Sequence, residues 1–106
     1  MGDRTLNKHG MTELHLAAYH GELDWVTNCI KGGLDVNARD NVGHTPLWWA
    51  ADMGVVDGDR EAVVDALIAA GADVNAKDNT GMSVLQAAVR AGNDLIVQRL
   101  KNANAA

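Results

Sequence analysis

Gly43-His-Thr-Pro-Leu-Trp-Trp-Ala-Ala51 reads as a glycine, a hydroxyl residue, a leucine and then small apolar residues, and the chain writes this pattern two more times. Gly10-Met-Thr-Glu-Leu-His-Leu-Ala-Ala18 precedes it and Gly81-Met-Ser-Val-Leu-Gln-Ala-Ala88 follows it. A second block, Asp-Val-Asn-Ala-(Arg/Lys)-Asp, closes the first two copies at Asp35 to Asp40 and Asp73 to Asp78. Starts at residues 10, 43 and 81 place the copies 33 and then 38 residues apart, so the second unit carries about five extra residues. Self-similarity at such a period marks a stacked array, because one short unit cannot bury its apolar face without a neighbour.

Each unit reads as two helices and a turn. Thr45-Pro46 is a helix start: the hydroxyl accepts from an orphan N–H one turn ahead, and Pro at the first helical position forfeits no hydrogen bond. Thr12 and Ser83 offer the same cap. Leu14, Ala17 and Ala18, and likewise Leu47, Ala50 and Ala51, then recur at helical spacing. Gly21, Gly54 and Gly92 stand where a positive φ would end those helices. Second helices are expected around Leu23, Val26, Cys29 and Ile30, around Val63, Val64, Leu67 and Ile68, and around Leu95, Ile96 and Leu100. Gly33 and Gly71 stop the first two. Asp40 and Asp78 can bond their own backbone while Gly43 and Gly81 take a positive φ, which predicts a hairpin projecting between successive helix pairs.

The wording and the period together resemble the ankyrin repeat, over about residues 7 to 101. The resemblance implies an all-α repeat fold, an α-solenoid of three helix-turn-helix units joined by β-hairpin loops. The expected organisation is one domain over residues 1–106, with repeats at about 7–39, 40–77 and 78–106. Lys101 and Arg99 are expected to make the outer face of the last unit polar, and Asn28 stands where unit two has Ala66, so the chain reads as a complete small array. His15 occupies the family's histidine position, where the imidazole bridges backbone groups of adjacent units. Unit two replaces that histidine with Trp48 and the next leucine with Trp49. Neighbours on a helix point about 100° apart, so Trp49 is expected in the core and Trp48 wedged between units with an indole N–H needing a partner. Trp25 reads as core.

Composition narrows the function classes. The hydrophobic share of 47% over 106 residues suffices for a core and excludes a disordered or collagen-like chain. No apolar run approaches a membrane span of roughly 18 residues, and the polar start Met1-Gly2-Asp3-Arg4-Thr5 has no apolar signal region. A lone Cys29 fits a reducing compartment, cytoplasmic or nuclear. The net charge of −5 repels phosphate backbones, so nucleic acid is not the expected partner.

What the resemblance implies is protein binding through a concave groove of hairpin tips and first helices. The positions that map there are Lys8, His9, Met11, Tyr19 and His20 in unit one. Unit two adds Arg39, Asn41, Val42, His44, Asp52 and Met53, and unit three adds Lys77, Asn79, Thr80, Met82 and Arg90. Four cations against one aspartate predict a basic groove on an acidic body, suited to a partner with an acidic and apolar surface. The expected state is a monomer. Other readings are self-assembly through an exposed Trp48 or the terminal faces, and inhibition of an enzyme by occlusion. The insertion Val55-Val56-Asp57-Gly58-Asp59 reads as a lengthened surface loop or a small apolar knob for a second contact.

No catalytic constellation, cofactor motif or metal-ligand spacing is present. His9, His20 and His44 all map to the groove, yet no pair has the spacing of ligands on one helix. Asp57-Gly58-Asp59 is too short for a calcium loop and lacks the bidentate glutamate. Cys29 stands in the register of Leu67 and reads as an inert core residue.

Overall fold

The computed structural model describes residues 9–52 and 60–103. Those residues form six helices and no strand: α1 (Glu13–His20), α2 (Leu23–Lys31), α3 (Pro46–Ala51), α4 (Arg60–Ala69), α5 (Val84–Ala91) and α6 (Asp94–Asn102). Thr12, Thr45 and Ser83 cap α1, α3 and α5, each side chain accepting from the N–H three residues on, and Pro46 opens α3. Gly21 ends α1 in the left-handed region at φ 68°, its N–H reaching back to the carbonyls of Ala17 and Ala18. Gly54, expected to end α3, lies outside the described residues, as does the whole 55–59 insertion.

The six helices form two rows. α1 packs on α3 and α3 on α5; behind them α2 packs on α4 and α4 on α6. Within each unit the paired helices also touch, α1 with α2, α3 with α4 and α5 with α6. Leu14, Leu47, Leu67, Ile96 and Leu100 are fully buried along this seam, joined by Val26, Val63, Val64 and the alanines that let the helices approach. Burying a Leu or Ile side chain is worth about 1.5–3 kcal/mol. Cys29 belongs to the same cluster.

Several side chains depart from the expected pattern, each for a physical reason. Leu95 is 62% exposed, not a core residue, since Ile96 beside it takes the inward direction on α6. Leu85 is only half-buried where Leu14 and Leu47 are closed off. Val89, in the register of the buried Ala18 and Ala51, is 59% exposed because no described helix packs beyond α5 and α6. Lys101 faces outward as expected, but Arg99 turns back to Asp65 of α4, Nη1 to Oδ2 at 3.2 Å. Two residues apart on a helix is about 200°, so the pair cannot share one face. Trp25 is half-buried, its indole N–H donating to Glu13 Oε2 at 2.7 Å.

Side chains also tie the units together across the hairpins. His15 Nδ1 accepts from the Thr12 N–H at 2.9 Å, which leaves Nε2 protonated to donate to the His44 carbonyl at 2.9 Å. Asn37 spans from the first unit to the second, its Nδ2 donating to the Gly71 carbonyl and its Oδ1 accepting from the Asp73 N–H at 2.7 Å. The Asn41 N–H donates to the His9 carbonyl and the Asn79 N–H to the Val42 carbonyl, so successive tips stack in register.

Candidate protein-binding groove

Asp40 and Asp78 build the two projecting tips. Asp40 Oδ1 accepts from the N–H groups of Val42 and His44; Asp78 Oδ1 accepts from Thr80 N–H, Thr80 hydroxyl and Met82 N–H. Each loop is closed by a backbone pair, Asp40 N–H to the His44 carbonyl and Asp78 N–H to the Met82 carbonyl. Gly43 turns the chain at φ 84°, with so little room that a Cβ would lie 2.8 Å from the Asn79 nitrogen. These bonds leave Arg39, Asn41 and Val42 exposed on one tip and Lys77, Asn79 and Thr80 exposed on the next. Val42 is 52% exposed, an apolar point between polar neighbours.

The helical part of the expected surface is less uniform. Tyr19 is half-buried and sets its ring edge-on to Trp49 at 5.6 Å; exposed His20 stacks on Trp25. His9 is exposed at the start of the described chain, and Met82 is half-buried. Met11 was expected on the surface and is instead 7% exposed, whereas Met82, at the same place before the Ser83 cap, is half-buried. Lys8 and Met53 lie outside the described residues.

Charge in the groove is partly internal. Arg90 Nη2 sits 3.2 Å from Asp52 Oδ1, so two of the expected contact charges satisfy each other across the α3–α5 junction. Arg39 and Lys77 enter no ion pair among the described residues. The basic character rests on the tips more than on the helices.

Of the two tryptophans, Trp49 departs from its expected core position while Trp48 keeps the expected wedge between units. Trp48 is the buried one, at 5% exposure, and Trp49 is half-buried with its indole N–H donating to Asp40 Oδ2 at 3.0 Å. Asp40 thereby closes the turn with one oxygen and holds Trp49 with the other. Trp48 lies at the junction of units two and three, as expected for a wedge. The His44 ring stacks on it at 3.4 Å and 5°, and the Arg90 guanidinium stands 5.9 Å from its ring. The Trp48 indole N–H and His44 Nδ1 are both buried and have no hydrogen-bond partner among the described residues. A buried donor or acceptor left unpaired costs about 1–3 kcal/mol.

His44 Nε2 lies 3.0 Å from Asp78 Oδ2. Burial opposes ionisation of Asp78, but the bonds from Thr80, the Met82 N–H and His44 outweigh it and hold the carboxyl well below the usual carboxylate range. Val42, His44, Trp48, Met82 and Arg90, with the tip that Asp78 builds, line a cleft of about 360 Å³. The sequence signal for this cluster was the replacement of the family histidine by Trp48; the stack with His44 had no signal of its own. Cys29 is chemically quiet: burial, reinforced by Glu13, pushes its thiol up to about 11. No group of three or more His, Cys, Asp or Glu among the described residues could hold a metal ion. No described helix is long and apolar enough to cross a membrane.

The chain is similar to several larger proteins over part of its length. It is 42% identical over 59 residues to acyl-CoA-binding domain-containing protein 1 of Arabidopsis thaliana, covering 56% of this chain and 17% of that protein. It is 38% identical over 56 residues to osteoclast-stimulating factor 1 of Xenopus laevis, 53% of this chain and 24% of that one. With the neurogenic locus Notch protein of Drosophila melanogaster it shares 44% identity over 43 residues, 2% of that protein. The matched stretch thus spans less than a quarter of each of these relatives. A family model described as ankyrin repeats (3 copies) matches residues 2–78. Capped helix pairs stacked in two rows, tips in register and that match together show that this chain belongs to the ankyrin-repeat family, whose members are generally protein–protein interaction modules.

Proposed function

We propose that the chain is a non-catalytic interaction module that grips a partner polypeptide along its hairpin tips and first-helix row. The observation that carries this reading is the repetition of an exposed trio at equivalent positions, Arg39-Asn41-Val42 and Lys77-Asn79-Thr80, on tips that the backbone locks in register. Main-chain bonds hold these side chains outward, so they meet a partner without a large ordering cost. The two unpaired cations favour a partner with acidic residues around an apolar centre, and the apolar part meets Val42 and Met82. A monomer in the cytoplasm or nucleus fits the lone reduced cysteine.

The test is crosslink-mapped capture of a partner by the intact chain and by Arg39→Glu/Lys77→Glu. Reversal of two rim charges is expected to weaken binding about tenfold or more, mainly through slower association. Unchanged affinity of a partner crosslinked elsewhere overturns the reading. Self-assembly is a second reading, and its surface has shifted: Trp48 is too buried to serve a second copy, whereas Val89 and Leu95 stand exposed on the last helix pair. Light scattering over a concentration series separates the two, since only the second gives growth in mass.

A further inference from the structure

The two joints between units are built alike. Gly10 and Gly43 each lie against the asparagine of the next tip, where a Cβ would stand 3.2 Å from the Asn41 nitrogen and 2.8 Å from the Asn79 nitrogen. That asparagine donates its N–H to the carbonyl just before the glycine, Asn41 to His9 at 2.8 Å and Asn79 to Val42 at 3.0 Å. At the second joint Asn79 Nδ2 also donates to the Asn41 carbonyl, at 3.1 Å. At the first, His15 accepts from its own cap N–H and donates across the joint to the carbonyl that closes the next turn, that of His44. Below the tips Ala18 and Ala51 are closed off.

Unit three repeats the parts of this joint and leaves them open. Gly81 is exposed where Gly43 is buried, and nothing among the described residues lies within 4 Å of its Cβ position. The carbonyls of Thr80 and Asn79, counterparts of those of Val42 and Asn41, accept no hydrogen bond there. Gln86 stands in the register of His15 and repeats half of its work: Oε1 accepts from the Ser83 N–H at 2.8 Å, which leaves the exposed amide Nε2 with its donors unspent. Val89, in the register of Ala18 and Ala51, is 59% exposed. Lys77, Gly81, Ser83 and Gln86 line a cleft of about 410 Å³ between the third tip and α5.

These open groups define their occupant. Two carbonyls call for donors, the Gln86 amide calls for an acceptor, and Val89 calls for an apolar cover. In the filled joints an asparagine gives the donors, the carbonyl closing its turn gives the acceptor, and the helix that follows gives the cover. An aspartate in place of that asparagine would set a carboxylate against a carbonyl with no proton to share. A second copy of this chain brings the wrong residue, because Asn41 and Asn79 stand two places before Gly43 and Gly81, whereas Lys8 stands two places before Gly10. We propose that the outer face of unit three is a docking surface for a repeat unit of a partner polypeptide, an asparagine-tipped helix pair whose turn seats on Thr80, Gly81 and Gln86 and whose first helix covers Val89. This face lies at the end of the stack, apart from the groove, so each reading stands or falls alone.

The probe is a second copy of residues 70–102, which carries a tip asparagine and a helix pair, inserted between Asn102 and Ala103 of the intact chain. The tether makes the encounter intramolecular, so a fitting face is not missed for want of affinity. The extended chain is expected to melt in one transition about 5 °C or more above the unextended one, since interfaces between neighbours carry the stability of such stacks. Asn79→Asp in the inserted copy alone is expected to remove much of that gain. Gly81→Ala in the original unit is expected to lower the melting temperature by several degrees more in the extended chain than in the unextended one, because only there does the new Cβ meet an asparagine. No gain on extension, or the same loss from Gly81→Ala in both chains, overturns the proposal. Growth in mass of the unextended chain on light scattering, abolished by Gly81→Ala, assigns the face to a second copy and overturns the choice of occupant.

Discussion

Replacing each of the adjacent tryptophans with phenylalanine should destabilise the fold in the opposite order to their burial. Trp48 is 5% exposed and Trp49 is half-buried, so area alone makes Trp48→Phe the more damaging change. Hydrogen bonding reverses this. Trimming indole to phenyl inside a core costs roughly 1–2 kcal/mol, well under the 3–5 kcal/mol of truncation to alanine. At position 48 the trimmed N–H is an unpaired buried donor, whose removal returns about 1–3 kcal/mol, so the net change is near zero. At position 49 the same trimming deletes a bond to the Asp40 carboxylate, worth about 1.5–3 kcal/mol, on top of a packing loss of about 1 kcal/mol. Trp49→Phe should therefore be the less stable variant by about 2 kcal/mol or more, some 8 °C in melting temperature for a domain of this size. Urea and thermal unfolding followed by far-ultraviolet circular dichroism give the comparison free of the change in fluorophore. Equal losses, or a larger loss for Trp48→Phe, would show that the indole N–H of Trp48 has a partner or that packing dominates the junction.

Two more outcomes follow from the tips. Because the folded protein holds the Asp78 carboxyl below its ordinary range, its contribution is present above the unfolded value, near 3.9, and is lost as pH falls below it. The urea-midpoint gap between the wild type and Asp78→Asn should narrow as pH falls below about 4; a gap that widens there contradicts the assignment. Gly43→Ala and Gly71→Ala both force a side chain to positive φ, at a cost of about 1–2 kcal/mol each. Only at Gly43 does the new Cβ meet backbone, the Asn79 nitrogen at 2.8 Å, so Gly43→Ala should melt several degrees lower than Gly71→Ala, for which nothing lies within 4 Å; equal melting temperatures would show that the tips can slide apart.

What the sequence determined by itself was everything governed by local bonding and period. The caps at Thr12, Thr45 and Ser83, the positive-φ glycines, the aspartates that close their own turns and the inward leucines of units one and two all act within a few residues, so spacing exposes them. The interunit role of His15 was legible only through the family resemblance, since nothing local to residues 12–15 names the His44 carbonyl as its partner. Tertiary structure alone decided the rest: which tryptophan is buried, that Arg90 and Asp52 spend their charges on each other, that Met11 is buried and Arg99 turns back to Asp65, and that His44 stacks on Trp48 beside Asp78. Those contacts join residues 34 or 38 positions apart, or hang on which side of a short helix the next unit covers. No local pattern records that choice, because it is made when the units stack and each side chain competes for the one partner within reach.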